Sequence, residues 1–277
     1  MSSVINTNVK SLVAQNALTV NNRALGKAME QLSTGKRINT AADDAAGLAI
    51  SNKMTSQIRG LNQAVRNAND GISMLQTAEG ATQEVTNMLQ RMRELAVQAS
   101  NDTYSTTDRA SLDAEFQALL TDIGRISTDT KWNGVAVSDG TGGTSGKFKL
   151  QVGADAAQQI EWDSTKAKVD ATTLGINTQA LTDLTKAQAA ITAVNTAVGK
   201  VDTARSDIGA LINRLTYAAD NMSNISMNTS ASRSRILDAD YASATTDLAR
   251  TQIIQQAATA MLAQANQQPQ SVLSLLK

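Results

Sequence analysis

The sequence of 277 residues contains no cysteine and no histidine. Without them the chain has no disulfide, no thiolate nucleophile, no common zinc ligand and no imidazole to act as a general base near neutral pH. Any catalytic site would have to consist of carboxylates, lysines or hydroxyl groups. The composition therefore excludes the commonest catalytic and zinc-binding side chains.

Aromatic residues are also scarce, at 3% of the sequence, and the formal net charge is zero. This composition favours helices that pack closely through small side chains. A balanced charge offers no field that would attract nucleic acid. The chain has no run of about 18 apolar residues to cross a membrane, and its start, "MSSVINTNVK", lacks the pattern of a cleavable secretory signal. We therefore expect no nucleic-acid binding and no membrane insertion.

Charge is missing altogether between Arg250 and Lys277, and this segment also holds the only proline. Its Ala, Leu, Ile and Met residues would surround almost the whole circumference of a helix. Because a helix that is apolar on all sides is normally buried, we interpret the segment as an assembly surface shared with the N-terminal helix. The residues assigned to this terminal surface are Leu18, Leu25, Leu32, Ile254, Ala258, Met261, Leu262, Leu273 and Leu276.

The remaining sequence is dominated by apolar residues at steps of three and four. One long helix is predicted from Leu184 to Met222, and its apolar stripe is Leu184, Ala187, Ile191, Val194, Val198, Val201, Ile208, Ile212, Leu215, Ala219 and Met222, with Arg205 as an interruption. A matching stripe is predicted at Ile50, Met54, Leu61, Val65, Ala68, Ile72 and Leu75, and it resumes at Val85 after a polar break over residues 79–83. We expect these two helices to pack antiparallel as a coiled coil.

A third helix is predicted over residues 107–127, with an N-cap supplied by residues 105–108. Residues 131–163 alternate apolar and polar side chains between glycine-rich turns, which indicates short antiparallel strands in hairpins. We expect the hairpins to cover the ends of the helices. The predicted fold class is therefore mainly α, with a long antiparallel coiled-coil bundle and a small β-hairpin region.

The two chain ends also have matching stripes and are predicted to pair as an inner coiled coil. The stripes are Ala14, Leu18, Asn21, Leu25, Ala28 and Leu32 at one end, and Ile254, Ala258, Met261 and Ala265 at the other. Ordering both ends would cost on the order of 100 kcal/mol of backbone entropy. A lone two-helix hairpin leaves most of its apolar surface in water, so we expect the ends to become helical only inside an assembly.

Three motifs resemble the signatures of bacterial flagellin. They are "LSTGKRINTAADDAAGLAISNKM" over residues 32–54, "LQRMRELAVQASN" over 89–101 and "SRSRILDADYASATTDLARTQIIQQAATAMLAQANQQPQSVLSLLK" over 232–277. Together the resemblance covers about residues 1–163 and 175–277. It implies an extracellular structural subunit of the flagellar filament, exported unprocessed by the flagellar type III apparatus and serving motility. Such a subunit is expected to have no enzymatic activity and to use no cofactor or metal ion. The implied partners are further copies of the chain, an export chaperone, the filament cap and the hook-filament junction proteins.

The resemblance also implies a division of the chain. Residues 1–42 and 235–277 are predicted to be the two parts of an inner coiled-coil domain. Residues 43–130 and 176–234 are predicted to be the helices of a rod domain. Residues 131–175 are predicted to be a β-hairpin and connector region. Because the chain passes from Asp163 almost directly to the last long rod helix, it is similar to minimal flagellins that lack large outer domains.

A second surface follows from the central motif. The resemblance implies that six residues contact neighbouring subunits and the vertebrate Toll-like receptor for flagellin: Leu89, Gln90, Arg91, Leu95, Gln98 and Glu115. Leu119 stands where strongly stimulatory members have a basic residue. From spacing alone, Arg91 and Glu115 are ordinary solvated charges and Leu95 is a core residue.

Other functions explain less of the sequence. A hook-filament junction protein of the same family is the alternative interpretation, whereas a signalling coiled coil would need a receptor module that the sequence lacks. The acidic pair in "DDAAGLAIS" is interpreted as a helix N-terminus. "GTGGTSGK" lacks the spacing of a phosphate-binding loop, and "DAD" at 238–240 is too short to bind calcium.

Overall fold

The computed structural model describes the backbone of residues 7–274 and the side chains of residues 7–267. This part of the chain contains six α-helices: α1 Val9–Thr34, α2 Ala45–Ala99, α3 Thr106–Asp129, α4 Ala171–Leu174, α5 Leu184–Leu237 and α6 Tyr241–Ser274. Four short strands form two antiparallel pairs: β1 Lys131–Trp132 with β2 Val135–Ala136, and β3 Lys147–Gln151 with β4 Gln159–Asp163. The prediction of a mainly helical fold with a small hairpin region is confirmed.

The chain divides into two compact units. The first unit consists of Met1–Ser56 with Asn228–Lys277, and the second consists of Gln57–Met227. Helices α2 and α5 contribute residues to both units.

Helices α2 and α5 run antiparallel within the second unit. Ser226 donates a hydrogen bond to Asn62 at 2.9 Å, and Arg93 donates one to Asn195 at 2.8 Å, so ascending residue numbers in α2 meet descending numbers in α5. Between these two points the helices share one buried seam. The predicted antiparallel pair is therefore confirmed.

The buried positions of α5 differ in part from those that the sequence predicted. One buried set was predicted correctly and recurs every seven residues: Ala187, Val194, Val201, Ile208, Leu215 and Met222. The second buried set lies three residues after each of the first four, at Ala190, Ala197, Ala204 and Leu211. The predicted positions Ile191, Val198 and Ile212, one residue later, are only half-buried, whereas the predicted Ala219 is buried. Small alanines let the helices approach closely, and Arg205 lies beside the seam, where it does not interrupt it.

The stripe of α2 is also shifted at its start. Ile50 and Gln57 are exposed, whereas Ser51 and Ile58 are buried. The predicted polar break over residues 79–83 does not break the helix. Thr82 is fully buried there, and its hydroxyl donates to the Glu79 carbonyl at 2.8 Å. A hydroxyl that bonds to its own helix occupies a seam position at little cost, so the stripe continues to Ala99.

Helix α3 begins as predicted. Ser105 accepts a hydrogen bond from the Asp108 backbone while the Asp108 carboxylate accepts one from the Ser105 backbone, which is a capping box. Arg109 then reaches back to the end of α2, donating to the Ala99 carbonyl at 3.0 Å and to the Asn101 carbonyl at 3.1 Å. These bonds satisfy carbonyls that the helix end leaves without partners. They tie α3 to α2.

The hairpins pack along the middle of the helices, so the expectation that they cover the helix ends is wrong. Trp162 of β4 is buried in a cluster with Leu75 of α2 and Leu215 of α5. Its ring stacks on Phe148 of β3, with centroids 5.3 Å apart. Gly71 of α2 permits this approach, because a Cβ there would lie 2.7 Å from a methyl group of Leu150. An aromatic pair thus fills the space beside the long helices.

Candidate assembly surfaces

The terminal surface is built on the paired helices α1 and α6. Asn8 caps α1 by accepting the Ser11 N–H and also donates to the Ala265 carbonyl at 2.8 Å. Asn21, which is buried, donates to the Thr251 carbonyl at 2.8 Å. Early residues of α1 therefore meet late residues of α6, as expected for an antiparallel pair. The predicted pairing of the chain ends is confirmed.

The seam between these helices is partly polar. On α1 the buried and half-buried positions follow a heptad rhythm at Ser11, Ala14, Leu18, Asn21, Leu25, Ala28 and Leu32. On α6 the rhythm is Ala244, Leu248, Thr251, Gln255, Ala258, Leu262 and Ala265. Two further hydrogen bonds cross the seam, from Ser11 to Asn266 at 2.9 Å and from Gln255 to Asn22 at 3.2 Å. Polar groups at such positions favour one register over others.

The α6 stripe differs from the predicted one at two positions. Ile254 and Met261, expected in the seam, are exposed, and Gln255 and Leu262 take the half-buried positions. The sequence is ambiguous here, because apolar residues occupy neighbouring positions around the helix. Ala258 lies at the seam as predicted. Leu273 and Leu276 lie outside the residues whose side chains the structure describes.

The outer faces of both helices carry large apolar side chains in contact with solvent. These are Val9, Leu12, Val13, Val20 and Met29 on α1, and Ile253, Ile254 and Met261 on α6. Val13 is 64% exposed, Ile253 67% and Met261 65%. So many exposed apolar side chains indicate a surface that another molecule covers. Of the residues predicted for the terminal surface, Leu18, Leu25 and Leu32 instead face the α1–α6 seam.

An open groove of about 600 Å³ lies between the beginning of α1 and the later part of α6. Its apolar lining comprises Val9, Val13, Ala14, Met261 and Ala265. Sequence reasoning selected Met261 and Ala265 but missed Val9 and Val13. Their four-residue spacing on the side of α1 away from the stripe was the available signal.

Two loops join the terminal helices to α2 and α5. The Arg37 backbone donates to the Leu237 carbonyl at 2.7 Å, and the Arg37 guanidinium donates to the Ile236 carbonyl at 2.6 Å, so Arg37 caps the end of α5. Asp43 accepts from the Lys27 ammonium at 2.8 Å and from the backbone of Thr40 at 3.1 Å. The bond from Lys27, reinforced by the loop N–H groups, holds the pKa of Asp43 well below its ordinary value.

The central surface lies on α2 and α3 in the second unit. Arg91 donates to Glu115 on α3 at 2.9 Å and to Glu94 at 3.0 Å. Glu115, followed by Glu94, raises the pKa of Arg91 above its ordinary value. Gln98 donates to the Tyr104 hydroxyl at 3.0 Å. The ion pairs hold the guanidinium in one orientation on an exposed face.

The six predicted residues of the central surface separate into two groups. Gln90, Arg91, Gln98 and Glu115 are exposed, whereas Leu89 and Leu95 are buried in the core shared by α2, α3 and α5. Only the four exposed residues are placed to contact another protein directly. The two leucines fix the helix that carries them.

Neither a metal centre nor a membrane segment is evident in the described part of the chain. Within it, no group of three or more acidic side chains is placed to hold a metal ion. No helix there combines the length and the hydropathy of a membrane span.

Two family models match the chain. Residues 5–142 match the bacterial flagellin N-terminal helical region, and residues 191–276 match the bacterial flagellin C-terminal helical region. A flagellin of Halalkalibacterium halodurans is 49% identical over 274 residues, covering 99% of this chain and 100% of the relative. A flagellar filament 33 kDa core protein of Treponema phagedenis is 40% identical, covering 99% of this chain and 100% of the relative.

Solved structures agree with these matches. Bacillus cereus flagellin is 33% identical, with a TM-score of 0.50, and the match covers 57% of this chain and 88% of that one. A flagellar hook-associated protein of Vibrio parahaemolyticus is 14% identical, with a TM-score of 0.58. The match covers 71% of this chain and 100% of that one, and at this identity it shows a shared fold alone. Family models, near full-length relatives and paired terminal helices agree: the chain belongs to the bacterial flagellin family, whose members are structural subunits of the extracellular flagellar filament and not enzymes.

Proposed function

We propose that this chain polymerises into a flagellar filament by burying the outer faces of α1 and α6 against neighbouring copies. The observation that carries the proposal is the group of exposed large apolar side chains on both helices. Completely burying an aliphatic side chain stabilises by about 1.5–3 kcal/mol, so half-exposed residues would each gain about 1 kcal/mol on assembly. Under this proposal residues 1–42 and 235–277 form the inner coiled-coil domain.

The terminal helices fold fully only when the neighbours are in place. The seam between α1 and α6 contains Asn21, Thr251 and Gln255, so it buries less apolar surface than the seam between α2 and α5. Ordering the backbone costs about 1–2 kcal/mol per residue, and one polar seam offsets little of that cost. Unfolded ends also suit threading through a narrow export channel. Contacts at the filament tip then supply the missing stabilisation.

The central surface makes a second set of contacts with neighbouring subunits. Gln90, Arg91, Gln98 and Glu115 are exposed, and Arg91 is already oriented by two carboxylates. A side chain held before binding loses less entropy when it binds. Residues 43–130 and 176–234 act as the rod domain in this arrangement, and 131–175 packs against it. Recognition of the same surface by the Toll-like receptor for flagellin stays a prediction.

The remaining partners follow from the family. Export through the flagellar type III apparatus, with an export chaperone, the filament cap and the hook-filament junction proteins as partners, completes the proposal and serves swimming. The alternative of a junction protein is less well supported, because relatives at 49% and 41% identity over nearly the whole chain are named flagellins.

The test is polymerisation of purified protein carrying Ile254→Asp or Val13→Asp. Each substitution places a carboxylate on a face that assembly removes from water, so we expect the critical concentration for assembly to rise at least about tenfold. Gln252→Asp, at an exposed polar position of the same helix, is the matched control and should have a smaller effect. Sedimentation and electron microscopy measure assembly. Polymerisation of Ile254→Asp at the wild-type critical concentration would exclude this surface.

A further inference from the structure

We propose that Met261 is an oxidation site that controls assembly. In the unassembled chain a peroxide converts its thioether to a sulfoxide and prevents polymerisation, whereas burial in the filament protects it. This inference rests on the proposed function, since it requires that the outer face of α6 be buried between copies.

Exposure separates the methionines of this chain. Met74, Met92 and Met222 are buried in the seam between α2 and α5. Met29 is 57% exposed, Met261 65% and Met227 63%, so these three side chains are open to small oxidants. Of the three, Met261 lines the groove between α1 and α6, and Met29 lies on the outer face of α1.

The chemistry needs no catalytic group. The sulfur lone pair of Met261 attacks one oxygen of hydrogen peroxide, a sulfur–oxygen bond forms, and the oxygen–oxygen bond breaks. The released hydroxide takes up the proton from the oxygen now bonded to sulfur, so the products are the sulfoxide and water. The sulfur loses two electrons and the peroxide gains them. A flexible apolar side chain thereby becomes polar.

The position of Met261 makes this change important. Val9, Val13, Ala14 and Ala265 form the apolar part of the groove lining, and Lys10, Gln264 and Gln267 form its polar part. A sulfoxide oxygen that a neighbouring copy buries against the apolar part would lose its hydrogen bonds to water without replacement. Met227, equally exposed on α5, lies outside the groove and serves as the comparison.

The experiment compares monomer oxidised with hydrogen peroxide and untreated monomer, using the otherwise wild-type chain, Met261→Leu and Met227→Leu. All three proteins also carry Met29→Leu, because Met29 is exposed on the outer face of α1 and would itself be oxidised. We expect oxidation to raise the critical concentration of wild type and of Met227→Leu about tenfold and to leave Met261→Leu near its untreated value. An oxidised Met261→Leu as impaired as oxidised wild type would overturn the proposal. Failure of untreated wild type to polymerise would instead refute the proposed function.

Two further measurements keep the proposal testable if Met261→Leu folds poorly. Met261→Gln, which places a polar group there without oxidant, should raise the critical concentration in the same way. Mass spectrometry of peroxide-treated samples should find Met261 oxidised in monomer and protected in filaments. Equal oxidation of Met261 in the two states would show that it is not buried on assembly.

Discussion

Single polar residues adjust the stability of the terminal hairpin. Asn21 is buried in the seam of α1 and α6, and its amide donates to the Thr251 carbonyl at 2.8 Å. An apolar residue at the same position would bury more apolar surface, but it would allow the two helices to pair in several registers. The polar seam therefore defines the helix alignment while burying little apolar surface, which is consistent with the proposal that these ends fold fully only on assembly.

A charged residue controls the loop beside this hairpin. Because Lys27 and the loop N–H groups hold the pKa of Asp43 below its ordinary value, the folded state favours the carboxylate. The stability from this ion pair is fully present above the unfolded pKa of about 4 and is lost as pH falls through the lower folded pKa. We expect hydrogen exchange in residues 35–44 to accelerate as pH is lowered below about 4, after correction for the intrinsic exchange rate.

The variant Asp43→Asn removes the titrating group and should show fast exchange in this loop at neutral pH, with little further change on acidification. Asp247→Asn, which affects only an exposed pair with Arg250 within α6, is the control and should behave like wild type in this loop. A wild-type loop that exchanges equally at pH 7 and in acid, after that correction, would contradict the assigned role of Asp43.

Residue pairs distant in sequence were the least predictable features at this scale. Arg91 and Glu115 were both named from their motif, but nothing in the spacing showed that they form an ion pair across two helices. Arg109 was not singled out, although it caps the end of α2. Such contacts depend on how α2 and α3 pack, which the local pattern does not contain.

At the scale of elements, the seam of α5 shows what periodicity can and cannot decide. The seven-residue repeat through Val194, Val201 and Ile208 was evident from sequence and is buried. Between these positions apolar residues occur both three and four steps onward, so the pattern alone does not select one. Close helix packing selects the alanines, because larger Ile191 and Val198 would hold the helices apart. The strands were easier to predict, because glycine-rich turns mark where they begin and end.

Adjacent alanines provide a test of this close packing. Ala190 is fully buried in the seam and Ala189 is exposed. Ala190→Leu should overpack the seam and lower the free energy of unfolding by about 1–3 kcal/mol. Ala189→Leu inserts the same side chain into solvent and should change it by less than about 0.5 kcal/mol. Chemical denaturation followed by circular dichroism measures both. Equal stability of the two variants would mean that the seam has room for leucine.

At the scale of the molecule, the large buried side chains are unevenly distributed. Among the described residues, the twelve largest side chains that are less than 2% exposed include only Ile38 from the first unit; the others, such as Phe116, Leu75 and Leu215, belong to the second. The second unit thus has its own hydrophobic core. The first unit contains helices whose outer faces are apolar and exposed. The amphipathic pattern predicted both helix pairs, but in the proposed function the surface that covers the terminal pair belongs to other copies, which the pattern within one chain does not describe.

This asymmetry leads to the prediction that α1 and α6 are ordered by assembly while the second unit is ordered throughout. In purified monomer, a protease should cleave up to roughly residue 40 and from roughly residue 235, and amides there should exchange quickly. In filaments the same segments should resist cleavage and exchange slowly, because neighbouring copies exclude water from their outer faces. Residues 187–201, which contain the buried seam positions Ala187, Val194 and Val201, are the internal control. Terminal segments as protected in dilute monomer as in filaments would show that the polar seam alone orders them, and folding would then not depend on polymerisation.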